Sequence, residues 1–367
     1  MSLNNQSTPQ PRPSSFGIVS SPYFVEWLAQ EQLSLAFTTY QAGKLFLVGR
    51  SASDRLSVFE RTFDRAMGLW SDGQSMWLAA AFQLWQFHNV FDSHEVVDGY
   101  DRLYVPRAGY TTGDLDIHDI SVDGAGRIVF VNTLFSCLGV LSDVLNFTPL
   151  WRPHFISKLA AEDRCHLNGL AMQAGRPAYV TACSQGDSVN EWRHQRATAG
   201  CVIDVAANAT VMSGLAMPHS PRVYDGELWL LNSGSGYLGK VDVARGKFEP
   251  VAFCPGYARG LAFHGRFAIV GLSKPRESTF SGLPLEQNLT RHGIKAETGI
   301  QVIDIHSGKV AHWLRAEGPI HELYDVALLP GVTRPRALGF KTDEVRHNIW
   351  LDDNSRRVRW SAPAPPG

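Results

Sequence analysis

The chain has 367 residues, with 34 Lys and Arg against 35 Asp and Glu, and is 44% hydrophobic and 11% aromatic. A charge balance this close to neutral provides no field to recruit nucleic acid or an anionic membrane, so the expected partner is a small molecule or a peptide; the oligomeric state is left open. No apolar run reaches the length of a membrane span, and the polar, Pro-containing start lacks the basic and apolar regions of a leader, which sets the expectation of a soluble cytoplasmic protein. Five cysteines, Cys137, Cys165, Cys183, Cys201 and Cys254, form no C-x-x-C pair and no regular framework, so they are expected to be reduced and buried.

Taken in chain order, residues 1–16 are too poor in apolar periodicity to pack, and a helix is expected over 22–30. Three strands follow, over 33–40, 45–49 and 56–63, with a turn at Gln41-Ala-Gly-Lys44. A pattern then recurs: a small apolar pair, a turn containing Gly, and a strand rich in aromatic and β-branched residues. It occupies 67–78, 119–131, 168–180, 221–231 and 259–270, with starts roughly 40 to 60 residues apart, the period of a four-stranded propeller blade with insertions. The sixth copy, Tyr324-Asp-Val-Ala-Leu-Leu-Pro-Gly331, leaves no room for a full blade. The early strands supply what is missing. The expectation is therefore an all-β fold: a single β-propeller over 17–354 with six blades, a seventh being able to hide in the inserts after Ser184 or Arg276. The ring is closed by an inner strand from the C-terminal part and outer strands from the N-terminal part. A mobile tail is expected from 355.

In such a ring the residues before each inner strand and those after each second strand share one rim. The first group holds His118, His166, His219 and His321, with Arg65 and Tyr257 in the two blades that lack a histidine. Four imidazoles converging on the axis would hold Fe(II) or Cu, with Zn as a further candidate, since imidazole suits all three. Asp119 and Glu322 are the expected catalytic partners, orienting the imidazoles from outside the metal sphere. Substrate contacts are expected from Lys44, Gln83, Asn132, Ser184, Arg222, Asn232, Arg259, Lys274, Arg276 and Tyr324, with Trp192 and Arg193 in a lid. The function expected from this arrangement is oxidation of a small molecule or peptide at the propeller axis. Two alternatives use the same face: a non-catalytic propeller that binds a peptide or protein, its histidines capping blades through hydrogen bonds, and a Zn hydrolase with Glu322 as general base.

The motifs Tyr40-Gln-Ala-Gly-Lys-Leu-Phe46, Met67-Gly-Leu-Trp70, Cys165-His-Leu-Asn-Gly-Leu-Ala171, Pro218-His-Ser-Pro-Arg222, Gly256-Tyr-Ala-Arg-Gly-Leu261 and Glu322-Leu-Tyr-Asp-Val326 together resemble a family of uncharacterised bacterial proteins, sometimes fused to tetratricopeptide repeats. That resemblance implies no activity and no catalytic residue. In architecture the chain is also similar to carotenoid cleavage oxygenases, propellers that hold ferrous iron with four histidines, and in repeat form to strictosidine-synthase-like and gluconolactonase-like propellers. The latter would need Glu, Asn and Asp at the axis where this chain has mostly His.

Overall fold

A computed structural model describes residues 17–274, 282–353 and 356–361. Among them the chain forms six four-stranded antiparallel blades in a ring. Blade 1 runs Leu69–Ser71, Ser75–Ala80, Gln83–Asn89 and Arg102–Thr111, and blade 2 runs Ile117–Val122, Ile128–Asn132, Cys137–Val140 and Thr148–Trp151. Blade 3 is Leu167–Gln173, Arg176–Ala182, Gly200–Asp204 and Ala209–Leu215. Blade 4 is Pro218–Tyr224, Glu227–Asn232, Tyr237–Asp242 and Lys247–Phe253, and blade 5 is Tyr257–His264, Phe267–Ser273, Gly299–Asp304 and Val310–Glu317. In blade 6 the inner strand Val326–Pro330 pairs with Leu33–Thr39, placing Phe37 opposite Val326 and Leu35 opposite Leu328, and Lys44–Arg50 and Leu56–Thr62 complete it. The expected mixed closure is what the chain uses.

Two further strands lock the ring from outside. Gly17–Ser20 extends blade 5 and Pro335–Ala337 pairs in parallel with the outer strand of blade 1. The helix Phe24–Gln30 buries Phe24, Trp27 and Leu28 where blade 5 meets blade 6, against Ile269, Ile300 and Leu314. The insert after Ser184 contributes only the short helix Trp192–Gln195, and a second insert forms Pro284–His292, so among the described residues neither adds a blade. Of the tail expected from 355, residues 356–361 are paired, and 355 and 362–367 lie outside the described residues. Arg356–Ser361 forms a hairpin with Asn348–Asp353, because Val358 and Trp360 alternate in step with Leu351 and Ile349 across the register. No helix among the described residues is long and apolar enough to cross a membrane.

What brings six inner strands together is an alternation at the axis. Blades 1, 3 and 5 carry Gly68, Gly169 and Gly260, and a Cβ there would meet the next blade: Asp119 Cα at 3.2 Å, Pro221 Cδ at 2.3 Å and Val326 N at 2.6 Å. Only Gly allows the inner strands to approach that closely. Blades 2, 4 and 6 answer with a polar side chain that accepts an N–H of the following blade. Asp119 takes Leu170 N–H at 3.0 Å, Ser220 takes Gly260 N–H at 3.0 Å, and Asp325 takes Leu69 N–H at 2.8 Å.

At the centre lies Arg222. Its guanidinium pairs bidentately with Asp119, at 2.8 and 3.2 Å, and donates to the carbonyls of Leu170 and Leu261. Asp325 stands 4.0 Å away with its oxygens on Leu69 and Val326 N–H groups. Asp119 therefore serves the ring and not an imidazole, and Arg222 is committed to it and not to a substrate; both expectations for them are corrected. Burial, followed by the Asp119 charge, pushes the Asp325 carboxyl well above the ordinary carboxylate range, against the opposing pull of Arg222.

Two outcomes follow from this axis. Asp119→Ala, which leaves Arg222 buried without its counter-charge, is expected to lower unfolding free energy in urea by about 3 kcal/mol or more, while Asp119→Leu with Arg222→Met together should lose less. Asp325 binds its proton more tightly folded than unfolded, so its contribution to stability is present at low pH and is lost as pH rises toward neutrality. Asp325→Asn should flatten the fall of stability between about pH 4 and 7; an unchanged slope contradicts the assignment.

Candidate functional site

The inner strands of blades 2, 3, 4 and 5 each hold one extra residue near their start, in a β-bulge that re-aims the side chains beside it. Just before the bulges of blades 2 and 4 the chain passes through the left-handed region, at Asp116 (φ 53°) and Met217 (φ 46°). That turn brings each carbonyl back onto the imidazole two residues later. His118 Nδ1 lies 2.9 Å from the Asp116 carbonyl and His219 Nδ1 lies 2.9 Å from the Met217 carbonyl. In blade 3 it is His166 itself that is left-handed (φ 52°), and its Nδ1 is 3.1 Å from both oxygens of Asp163.

Acceptors on Nδ1 fix the tautomer. A carbonyl can only accept, so Nδ1 of His118 and of His219 carries the hydrogen and each Nε2 presents a lone pair. The Thr133 hydroxyl, 2.8 Å from His118 Nδ1, donates to the Leu167 carbonyl at 2.6 Å and so accepts from the imidazole. His219 Nε2 is buried without a hydrogen-bond partner.

His118 and His166 meet edge to face, with ring centroids 4.8 Å apart, in the wall of an axial cavity of about 160 Å³. Trp192 stacks on His166 at 4.0 Å and donates its indole N–H to Asp163 at 2.9 Å, so the expected lid residue is part of the wall. Arg193 lies over Trp192, 4.5 Å from its ring, and also lines the cavity. Across the cavity Arg259 is held between the rings of Tyr257 and Tyr324, 4.9 and 4.8 Å from their centroids, and bonds Glu322 at 3.1 Å. Tyr40 stacks on Tyr324 at 5.8 Å, and Met67, Asp116 and Met217 complete the lining.

The electrostatics keep His118 and His219 uncharged. Burial, then His166 and Arg259, bring His118 down to about 4, outweighing the opposing pull of Asp116. Burial and Arg259 likewise hold His219 well below the ordinary imidazole value. Burial alone would raise Asp116, but the two imidazoles, Arg65 and Arg259 hold it below the usual carboxylate range. Arg259 stays cationic despite its burial, because Tyr257, Tyr324 and Glu322 favour the charge. All five cysteines are free and buried, and burial pushes the Cys165 thiol up to about 12, which leaves it unsuited as a nucleophile beside His166.

Of the residues expected at the site, His118, His166, Arg259, Glu322 and Tyr324 line the cavity, and His219 stands behind it against Tyr257. His321 does not join them. It is exposed while its neighbour Glu322 is buried, since successive side chains of an extended chain point oppositely, and only its carbonyl is used, by Lys274 N–H and the Thr298 hydroxyl. The four-imidazole centre is thus not assembled, and among the described residues no group of three or more His, Cys, Asp or Glu is arranged to hold a metal ion. Glu322 is engaged with Arg259, which removes it as a partner of an imidazole.

The remaining rim residues are also placed elsewhere. Asn132 and Asn232 are turned onto the N–H groups of Phe135 and Ala216, and Ser184 onto that of Gly186. Lys44 pairs with Glu60 and Thr62 within blade 6, Gln83 opens the third strand of blade 1, and Lys274 is exposed. Arg276 lies outside the described residues. Asp116, two residues before His118, is legible in the sequence as an acceptor for that imidazole, whereas Asp163, Met217, Tyr40 and Met67 were missed as wall residues. Asp163 and Met217 precede a histidine by three and two positions, and that spacing was the available signal.

The chain belongs to the family described as a domain of unknown function, DUF4915, whose model matches residues 22–338. No curated protein matches it. Among solved structures it is similar to a chain of the nidogen/laminin complex, at 11% identity and a TM-score of 0.50, over 82% of this chain and 99% of that one. It is also similar to a catalytically inactive virginiamycin B lyase from Staphylococcus aureus with quinupristin, at 10% identity and a TM-score of 0.40, over 82% and 99%. A protein of unknown function from Bacteroides caccae follows at 7% and 0.38, over 81% and 98%. At such identities the likeness concerns the fold alone.

The neutral state of His118 has a direct readout. Nitrogen NMR of the histidine side chains should show His118 as the Nδ1–H tautomer with no titration between about pH 8 and 5. A midpoint near the ordinary imidazole value contradicts the burial and Arg259 field described above.

Proposed function

We propose that the axial cavity is the active site of an enzyme that acts on a small molecule by proton transfer, with His166 as the general base. The observation that supports this reading is the Asp163–His166 pair. The carboxylate accepts Nδ1–H, so Nε2 is the basic atom, and an imidazolium formed there would be stabilised by the same carboxylate. Stacking by Trp192, and its N–H on Asp163, holds both partners in one orientation. Arg259 supplies a fixed positive charge on the opposite wall, suited to a negative charge that develops as the proton leaves. His118, kept neutral, is a second acceptor for a substrate hydrogen.

A second reading rests on the ring spacing. Centroids 4.8 Å apart suit two imidazoles sharing an ion at about 2.1 Å from each Nε2, and acceptors behind Nδ1 are the usual support of metal-bound histidine. The oxidative chemistry with Fe(II) or Cu, or hydrolysis with Zn, belongs to this reading.

One comparison separates these from simple binding. A mixture of small metabolites is incubated with the wild-type protein and with His166→Gln, and followed by NMR. Under the proposal at least one compound is converted, the variant is slower by roughly a hundredfold or more, and a chelator has no effect. Conversion abolished by chelator and restored by Fe(II), Cu or Zn favours the metal reading. Compounds that bind and are recovered unchanged would make the propeller a binding module.

A further inference from the structure

The hydrogen-bonding state of the cavity wall restricts what can enter it. His118 presents an acceptor, because its Nδ1–H is committed to the Asp116 carbonyl and Thr133, and His166 does the same with Nδ1 on Asp163. A ligand must therefore bring an O–H or N–H to that side. The opposite wall is rich in donors. Arg259 lines the cavity and has five N–H groups, and its named partners are Glu322 and Tyr257. A ligand must bring an acceptor there, and a charged one is favoured beside a guanidinium.

The carboxylates of the wall are already engaged. Asp163 serves His166 and Trp192, Asp116 lies 3.3 Å from Arg65, and Glu322 holds Arg259. Each already faces a cation or an N–H donor, which favours a hydroxyl over an ammonium group as the donor end. The volume of about 160 Å³ suits an acid of a few carbons. We infer that the cavity takes a small hydroxycarboxylate, with its carboxylate on the Arg259 side and its hydroxyl toward Nε2 of the imidazoles. This rests on the acid–base reading of the same cavity.

The test is calorimetric titration of the full chain with lactate, lactamide and propanoate, three probes of nearly equal size. The first carries both groups, the second lacks the charge and the third lacks the hydroxyl. The wild-type protein should bind lactate about tenfold or more tighter than either of the others. Arg259→Gln with Glu322→Gln, which removes both charges together, should abolish the preference over lactamide, and His166→Gln should weaken the preference over propanoate while keeping that over lactamide. Equal affinity for lactate and lactamide in the wild type, or no binding of lactate, glycolate or 3-hydroxypropanoate, overturns the inference; this wild-type comparison decides even if the double variant fails to fold. The two proposals fail separately. A carboxylate preference with turnover indifferent to His166 retains the ligand class and removes the general base, whereas turnover of an uncharged substrate that depends on His166 does the reverse.

Discussion

The ion pair between Arg222 and Asp119 sits where all six inner strands converge, and the rest of the molecule depends on it. Arg222 springs from blade 4, pairs with blade 2, donates to carbonyls of blades 3 and 5, and faces Asp325 of blade 6. Blade 1 joins through Leu69 N–H on Asp325. A guanidinium is suited to this role because it is always charged and offers five donors in one plane. An apolar plug of equal size would fill the axis without tying strands from different blades to fixed distances. The arrangement also has a threefold character inside a sixfold ring, with Gly in odd blades and Asp, Ser or Asp in even ones.

This plug divides the axis into two mouths that differ in chemistry. One is a cavity of about 350 Å³ walled mainly by apolar residues such as Leu69, Ile120, Leu170, Val223, Leu261 and Val326, with Arg222 also lining it. The other is the smaller histidine cavity, where Nδ1 of both imidazoles and the three carboxylates have defined partners. The hydroxyls of Thr38, Thr133, Ser233 and Ser273, at or just beyond the ends of second strands, bond carbonyls in or just before the inner strand of the next blade. These rim hydroxyls fix one blade against the next, and the imidazoles inherit that rigidity.

The ring was legible in the sequence because blade repeats leave a periodic trace, and the mixed closing blade followed from the lack of room after Tyr324. The convergence of His118 and His166 was legible for the same reason. His321 was not separable from Glu322, since one step along an extended chain reverses the side chain and the repeat alone does not fix that register. The bulges also left no clear trace, so Asp119 was read as facing the rim when it lies one layer deeper, on Arg222. Asp163 escaped because its role depends on a turn through positive φ, which for Asp is tolerated but not announced by residue type. The terminal hairpin was overlooked because its charged strand, with Arg356, Arg357 and Arg359, masks the alternation of Val358 and Trp360.

The central claim is that the axis has one chemically organised mouth, and that the two imidazoles and Arg259 face the same bound molecule there. A crystal structure of the protein soaked in lactate tests it most directly. The account predicts the acid between Arg259 and the His118–His166 pair, with the hydroxyl within hydrogen-bond distance of an Nε2 atom. Lactate seated over Arg222 in the opposite mouth, or bound with both imidazoles turned away from it, would contradict the account.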